Sequence, residues 1–316
     1  MNLKHDPFPL IFTQGDEVTK LTCLEFFDLG DSPQAKDCLL KLIKQQRSDG
    51  TFPSRLDPET WGMRETVRKA LLLLRMWLPP KGVNVGSAVR FVLGRQCPDG
   101  GWSENRALEL PPEQTWLSNE RSITWLTADV VDLLRQVRMG ESPECTAAVE
   151  WLRSMQNPHG GWPSLADEAE DRRSDPDATT QIAFLMGELY GEDDPIYLKG
   201  KELFERHLDE CAQNVERGYW VRLRDGAREE LDVYTLTHLL LSWWLDPPRR
   251  LQSGYDAGDP RVKRMMEALV DIQQEDGGWR PFFAQASSPV YTLLAVKALI
   301  LSGILVRQEL AAKVTV

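Results

Sequence analysis

The sequence predicts an all-α fold in which about six helix pairs close into a double ring. Three observations support it: a segment from glutamine to an aromatic residue recurs along the chain, an amphipathic helix precedes it, and a more apolar helix follows it. Five pairs come from the repeats, and segments 16–29 and 301–312 supply the sixth. We therefore expect residues 1–316 to form a single domain, although length alone would suggest about two.

The recurring segment runs from a glutamine through a turn to an aromatic residue. Three copies have a Gly-Gly pair before tryptophan, and two looser copies end in Phe52 and Trp220. The five copies are Gln46–Phe52, Gln96–Trp102, Gln156–Trp162, Gln213–Trp220 and Gln273–Trp279. Their aromatic residues are spaced by 50, 60, 58 and 59 residues. So long and regular a period indicates one supersecondary unit repeated along the chain.

Each unit predicts an outer helix, a turn and an inner helix. Apolar residues at steps of three and four, such as Val89, Val92 and Leu93, indicate an amphipathic outer helix. Glycine then supplies the positive φ that ends this helix. A more apolar run follows a threonine in most copies and indicates a buried inner helix. The aligned threonines are Thr66, Thr127, Thr180, Thr235 and Thr292.

Composition narrows the class of protein. The chain has 37 Lys and Arg residues and 48 Asp and Glu residues, which gives a net charge of −11. This negative charge disfavours a nucleic-acid partner. No stretch reaches the roughly 18 apolar residues of a membrane span. The 5 cysteines are scattered and fit neither a disulfide framework nor a zinc finger. We expect a cytoplasmic protein; shallow contact with a membrane that supplies a lipid stays open, as does the oligomeric state.

The repeats resemble the QW repeats of terpenoid cyclases of the squalene–hopene cyclase kind. Related repeats occur in the β subunits of protein prenyltransferases. The resemblance extends over nearly the whole chain and implies an α/α toroid whose inner helices surround an apolar cavity. Fold alone does not determine function, so the site needs its own argument.

The resemblance also implies a catalytic motif. Class II cyclases of this family protonate an alkene or epoxide with the middle aspartate of a DxDD-T motif. The matching segment is Asp175-Pro-Asp177-Ala178-Thr179, which implies Asp177 as general acid and Asp175 as its partner. The third acidic position is Ala178, a departure from the pattern. Burial and a neighbouring carboxylate keep such an acid protonated, whereas simple helix capping is the alternative role for Asp177.

A carbocation requires a chamber without water and is stabilised by aromatic faces. Inner-helix starts supply the candidate residues for binding the substrate. They are Trp61, Trp125, Phe184, Asp232, Tyr234 and Tyr291. An ordinary core position is the alternative for each aromatic residue, and capping is the alternative for Asp232. Phe184 faces either the cavity or a neighbouring helix.

No metal is expected in the chain. Prenyltransferase β subunits bind zinc through an Asp-x-Cys pair and a later histidine, but Tyr234 and Tyr291 occupy the corresponding places. His238 is interpreted as a core residue. The acidic stretch 167–171 resembles the magnesium–diphosphate motif of class I synthases, although a solvated charge run is the simpler interpretation. No cofactor is therefore required, and Mg²⁺ would enter only with a diphosphate substrate.

Two functions remain open at this stage. The first is a class II-type terpene or meroterpenoid cyclase, an isomerase or lyase acting on a linear isoprenoid or prenylated small molecule. The second is a non-catalytic toroid that binds an isoprenoid lipid or a partner protein, suggested by the missing third aspartate and by the small size of the chain.

Overall fold

The computed structural model describes residues 2–76, 85–112, 114–166, 174–217, 219–221, 228–230, 236–237, 240–241, 254–281 and 284–314. Helices form most of this part of the chain. They are α1 (Phe8–Gln14), α2 (Glu17–Phe26), α3 (Pro33–Lys44), α4 (Met63–Arg75), α5 (Val85–Leu93), α6 (Thr124–Gln136), α7 (Pro143–Ser154), α8 (Pro176–Tyr190), α9 (Pro195–Arg217), α10 (Pro260–Asp271), α11 (Pro289–Leu301) and α12 (Arg307–Ala311). Strands β1 (Tyr219–Val221) and β2 (Arg228–Glu230) pair antiparallel, with Tyr219 opposite Glu230. This short hairpin was not predicted.

Contacts divide the chain into two compact units, residues 40–203 and residues 1–39 with 204–316. In the 40–203 unit, α6 packs against α4, α5, α7 and α8. In the other unit, α11 packs against α1, α2 and α10. The single domain predicted for residues 1–316 depends on how the units are joined, and it stays a prediction. Within the described ranges, no helix combines the length and apolar character needed to cross a bilayer.

The repeat glutamine holds its turn closed. Its Nε2 donates to the carbonyl of the glycine four residues later, at 3.0, 2.8, 2.9 and 2.9 Å from Gln46, Gln96, Gln156 and Gln273. Those glycines have φ between 82° and 100°, a region that residues with a side chain rarely adopt. The Nε2 of Gln96 also donates to the Glu144 carbonyl at 2.8 Å, which fastens the turn to α7.

The repeat tryptophan joins the outer helix to the inner one. Trp162 is fully buried, and its Nε1 donates to the carbonyl of Leu152, at the end of α7, at 2.6 Å. Its backbone N–H donates to Thr179 Oγ1 at 3.0 Å. Trp102 and Trp279 make the same two bonds, with Thr127 and Thr292 as acceptors, and Phe52 makes the bond to Thr66. Thr179, and not Thr180, is therefore the equivalent threonine, so the sequence alignment is wrong by one residue in that copy.

The fourth copy differs from the prediction. Gln213 lies inside α9, which continues to Arg217, and Trp220 lies in β1. A single glycine follows this glutamine where the better copies have two, so the signal that ends the helix is weaker. Thr235 lies outside the described residues.

The terminal segments that were predicted to pair lie in one unit. Arg307 of α12 donates to the Phe26 carbonyl and lies 3.0 Å from the Asp28 carboxylate, just beyond α2. At the last repeat turn, Gln273 Oε1 accepts from the backbone of Lys4 at 2.8 Å, while its Nε2 donates to the His5 carbonyl at 3.0 Å. The amino-terminal segment is thus fastened to the final repeat.

Candidate active site

The inner helices α4, α6 and α8 begin side by side at one end of the 40–203 unit. The segment after Trp162 crosses the start of α6, where Thr124 N–H donates to the Ser164 carbonyl at 3.0 Å. The segment after Trp102 crosses the start of α4, where Met63 N–H donates to Glu104 Oε2 at 2.9 Å. Three helix amino termini, each with a partial positive charge, therefore lie close together.

These helices share a polar face. Positions one, five and eight residues after the first residue of a helix lie on one side of it. On α6 this stripe is Trp125, Asp129 and Asp132. On α4 and α8 the last of the three positions is apolar, and the stripes are Arg64, Arg68 and Leu71, and Asp177, Gln181 and Phe184. We define the polar face as Arg64, Arg68, Trp125, Asp129, Asp132, Asp177 and Gln181. Arginine and aspartate side chains make this face charged, and the apolar cavity that the resemblance implies stays a prediction.

One layer of the polar face joins all three helices. Arg68 Nε lies 3.4 Å from Asp129 Oδ2, and Gln181 Nε2 donates to Asp129 Oδ1 at 2.6 Å. The Arg68 guanidinium also lies 5.1 Å from the ring centroid of Trp125. We call Arg68, Asp129 and Gln181 the Arg68 layer. Burial lowers the pKa of Arg68 to about 10, opposed by the charge of Asp129.

Asp175 and Asp177 have different surroundings. Asp175 is the N-cap of α8: its Oδ1 accepts from Ala178 N–H at 2.9 Å, and its Oδ2 accepts from Ser164 Oγ at 2.6 Å. Asp177 is the second residue of the helix and is half-buried, with its Oδ1 shielded from solvent. The N-cap of α8 is thus Asp175, and the capping role considered for Asp177 is wrong because Pro176 is the first helical residue.

The aromatic candidates are dispersed. Trp125 lies on the polar face, and its Nε1 donates to the Trp116 carbonyl at 3.2 Å. Trp61 packs edge-on against Phe91 of α5, with ring centroids 4.8 Å apart. Phe184 packs edge-on against Tyr197 of α9, with ring centroids 6.0 Å apart. Of the two orientations considered for Phe184, this contact is the one toward a neighbouring helix.

The remaining candidates are placed elsewhere or not described. Tyr291 is buried in α11, in the unit formed by residues 1–39 and 204–316. Asp232, Tyr234, His238 and the acidic stretch 167–171 lie outside the described residues. Across the part of the chain that is described, no three His, Cys, Asp or Glu side chains are grouped to hold a metal ion.

Glu104 is a site residue that sequence reasoning missed. Its carboxylate caps α4, whose own N-cap is Gly62, by accepting from Met63 and Arg64 N–H at 2.9 and 3.2 Å. Burial and the charge of Glu65 raise the pKa of Glu104. Burial opposes ionisation of Glu65 too, but Arg64 holds the pKa of Glu65 below its usual range. The contact joins residues about 40 positions apart in the sequence, so no short-range sequence pattern predicts it.

Asp132, the second aspartate of α6, has a raised pKa. Burial and the charge of Asp129 raise the pKa of Asp132 to about 7. Glu188 adds to this increase, whereas Arg135 and Arg75 oppose it. Two aspartates three residues apart in an apolar inner helix are a signal from which this pair could be found in the sequence.

The raised pKa of Asp132 predicts pH-dependent stability. Its unfolded value is about 3.9, so the native state holds this proton more tightly, and stability is lost as pH rises from about 4 to 7. Asp132→Asn should leave the free energy of unfolding unchanged at pH 4 and raise it by about 1 kcal/mol at pH 8, a figure reduced for solvent screening. Urea unfolding at both pH values measures this, with exposed Asp271→Asn as control. Equal stability of wild type and Asp132→Asn at pH 8 would contradict it.

No protein-family model and no curated protein matches the chain, but solved structures do. A variant of the type II terpene cyclase MstE from Scytonema is 15% identical with a TM-score of 0.56, over 93% of this chain and 76% of that one. Another MstE variant, in complex with its substrate geranylgeranyl dihydroxybenzoate, is 15% identical with a TM-score of 0.54, over 94% and 87%. A protein from Actinoplanes is 15% identical with a TM-score of 0.55, over 95% and 79%. At this identity the likeness shows the fold, and the predicted all-α toroid class is confirmed.

Proposed function

We propose that the protein is a type II terpene or meroterpenoid cyclase in which Asp177 is the general acid. The observation that carries the proposal is the aspartate pair at the start of α8: Asp175 is held as the cap, and Asp177 lies on the polar face. The chain has the fold of type II terpene cyclases, and one such structure holds a prenylated substrate. The proposed substrate is accordingly a linear isoprenoid or a prenylated small molecule.

In the proposed reaction the Asp177 carboxyl gives its proton to one carbon of a terminal double bond. The electron pair of that bond forms the new C–H bond and leaves a cation on the other carbon. Later double bonds close rings on this cation, and loss of a proton to a base ends the sequence, so no oxidant or cofactor is consumed. The amino terminus of α8 stabilises the carboxylate left behind and so strengthens the acid. Mg²⁺ would enter only with a diphosphate substrate.

Asp175 acts as a positioning residue in this proposal. Because both of its oxygens accept hydrogen bonds, from Ala178 N–H and Ser164 Oγ, it fixes the first turn of α8 and the place of Asp177. Trp125 is the aromatic residue proposed to lie beside the cation. Substrate contacts of Trp61, Phe184, Tyr291, Asp232 and Tyr234 stay predictions, as do a cytoplasmic location and shallow membrane contact.

Incubation with a panel of linear isoprenoids and prenylated phenols tests the proposal. Wild type should form cyclised product, and Asp177→Asn should lower the rate by at least about 100-fold, the usual contribution of a general acid. Asp271→Asn is the matched control: it makes the same chemical change at an exposed side chain of the other compact unit, so this variant should keep its fold by circular dichroism and its rate. Unchanged turnover in folded Asp177→Asn would refute the assignment of the acid.

A non-catalytic toroid that binds an isoprenoid lipid or a partner protein is the second candidate function. The charge of the polar face favours it, because a carbocation survives best in an apolar chamber that excludes water. Mass spectrometry of the purified protein distinguishes the two. A retained isoprenoid, together with no turnover of any substrate in the panel, would identify the non-catalytic function.

A further inference from the structure

Arginines on and beside the polar face each have a carboxylate neighbour. Arg64 Nη2 lies 2.9 Å from Glu65, and Arg68 Nε lies 3.4 Å from Asp129. Arg135 Nη1, at the edge of the face, lies 3.0 Å from Glu188. Among the described residues of this face, positive charge is thus compensated locally.

Local compensation disfavours an anionic ligand. A diphosphate would have to compete with Asp129 for Arg68, and the displaced carboxylate would stay buried without its counter-charge, at a large cost. Asp132 adds a further acidic group to the same face. Recognition of phosphate normally uses clustered cations or bidentate arginines that are available to the ligand.

The Arg68 layer instead offers a hydrogen-bond donor next to an acceptor. The Arg68 guanidinium is a donor and the Asp129 carboxylate is an acceptor, at the distance of one ion pair. A hydroxyl group both donates and accepts, so it can bridge the two without breaking their pairing. Ethers and hydrocarbons cannot donate a hydrogen bond to Asp129. Because the Arg68 and Asp129 side chains are largely buried, a ligand group that leaves either of them without a hydrogen-bond partner binds at a cost.

The layer also lies close to the proposed acid. Gln181 follows Asp177 by four residues on α8, which corresponds to about 6 Å along the helix. We propose that the Arg68 layer is a specificity-determining site that binds an uncharged hydroxyl group of the ligand and excludes a diphosphate. Only the isoprenoid nature of the ligand's chain rests on the proposed function.

Binding of three ligands that share one C15 farnesyl chain tests the inference: farnesol, farnesyl diphosphate and farnesyl methyl ether, whose oxygen cannot donate a hydrogen bond. Titration calorimetry of Asp177→Asn measures binding without turnover. Farnesol should bind at least about 10-fold more tightly than either of the others, as one hydrogen bond to a charged group would give. Equal affinities, or tighter binding of the diphosphate, would overturn the inference.

Variants test whether the preference for farnesol depends on the Arg68 layer. In Arg68→Leu/Asp129→Leu the ratio of farnesol to farnesyl methyl ether affinity should fall toward 1, because both charged partners of the hydroxyl are gone. Gln181→Leu keeps the ion pair but removes the amide that holds Asp129 in place, and it should lower the ratio in part. Arg153→Leu, which removes the 3.0 Å pair with Asp194 away from this face, is the control and should leave the ratio unchanged.

A ratio that survives in the folded double variant would refute the role of the layer. The two proposals fail separately: absence of cyclised product from wild type counts against catalysis by Asp177, whereas the preference for alcohol is measured in a variant that need not react.

Discussion

Trp162→Ala should lower the free energy of unfolding by about 4 kcal/mol, because it removes a large buried ring and leaves a cavity. The indole is fully buried, and its Nε1 supplies the hydrogen bond to the Leu152 carbonyl at 2.6 Å. That carbonyl belongs to the last turn of α7, where helices leave acceptors unsatisfied. Alanine therefore removes both the packing and the partner of a buried acceptor. Urea unfolding monitored by circular dichroism measures the loss.

Two matched variants separate these effects. Trp162→Phe keeps an aromatic ring and loses the N–H, so we expect a loss of about 1–2 kcal/mol. Phe52 fills the equivalent place in the first copy and keeps the backbone bond to Thr66 at 3.1 Å, which supports tolerance of the smaller ring. Trp116 is 43% exposed, and Trp116→Ala should change stability by about 0.5 kcal/mol or less. If Trp162→Ala cost no more than Trp116→Ala, the proposed structural role would be wrong.

The repeat turns were predictable because their chemistry is local. Gln156, the positive-φ Gly160 and Trp162 lie within seven residues, and the same residue types give the same bonds in each well-formed copy. Glu104 was not predictable in this way. It caps α4 across about 40 residues of chain, and only the packing of neighbouring repeats brings it there.

A shift of one residue in the alignment of the third repeat decides whether the Arg68 layer can be found from the sequence. Each member of the Arg68 layer follows its repeat threonine by two residues: Thr66, Thr127 and Thr179. Alignment on Thr180 displaces Gln181 by one position and hides the layer. The cap of α8, in contrast, follows from local sequence. Proline is common at the first position of a helix, so Pro176 makes the preceding residue, Asp175, the cap.

Arg68→Leu alone should lower the free energy of unfolding by about 4 kcal/mol at pH 8, because Asp129 is left buried without its counter-charge. Burial raises the pKa of Asp129 even with Arg68 and Gln181 opposing it. A raised pKa means that stability is lost as pH rises, so the cost of Arg68→Leu should be smaller at pH 5, where Asp129 can take up a proton. Denaturant unfolding at the two pH values measures both effects.

The double variant Arg68→Leu/Asp129→Leu should recover part of that loss, because an apolar pair of similar volume is often as stable as a buried ion pair. Recovery is incomplete because Gln181 loses the carboxylate to which it donates. A double-mutant cycle gives the coupling energy directly. A double variant as unstable as Arg68→Leu would show that the layer serves the fold. Recovery would instead show that stability does not require Arg68 and Asp129, and the reason for a charged layer one turn from Asp177 would then lie in what the polar face binds.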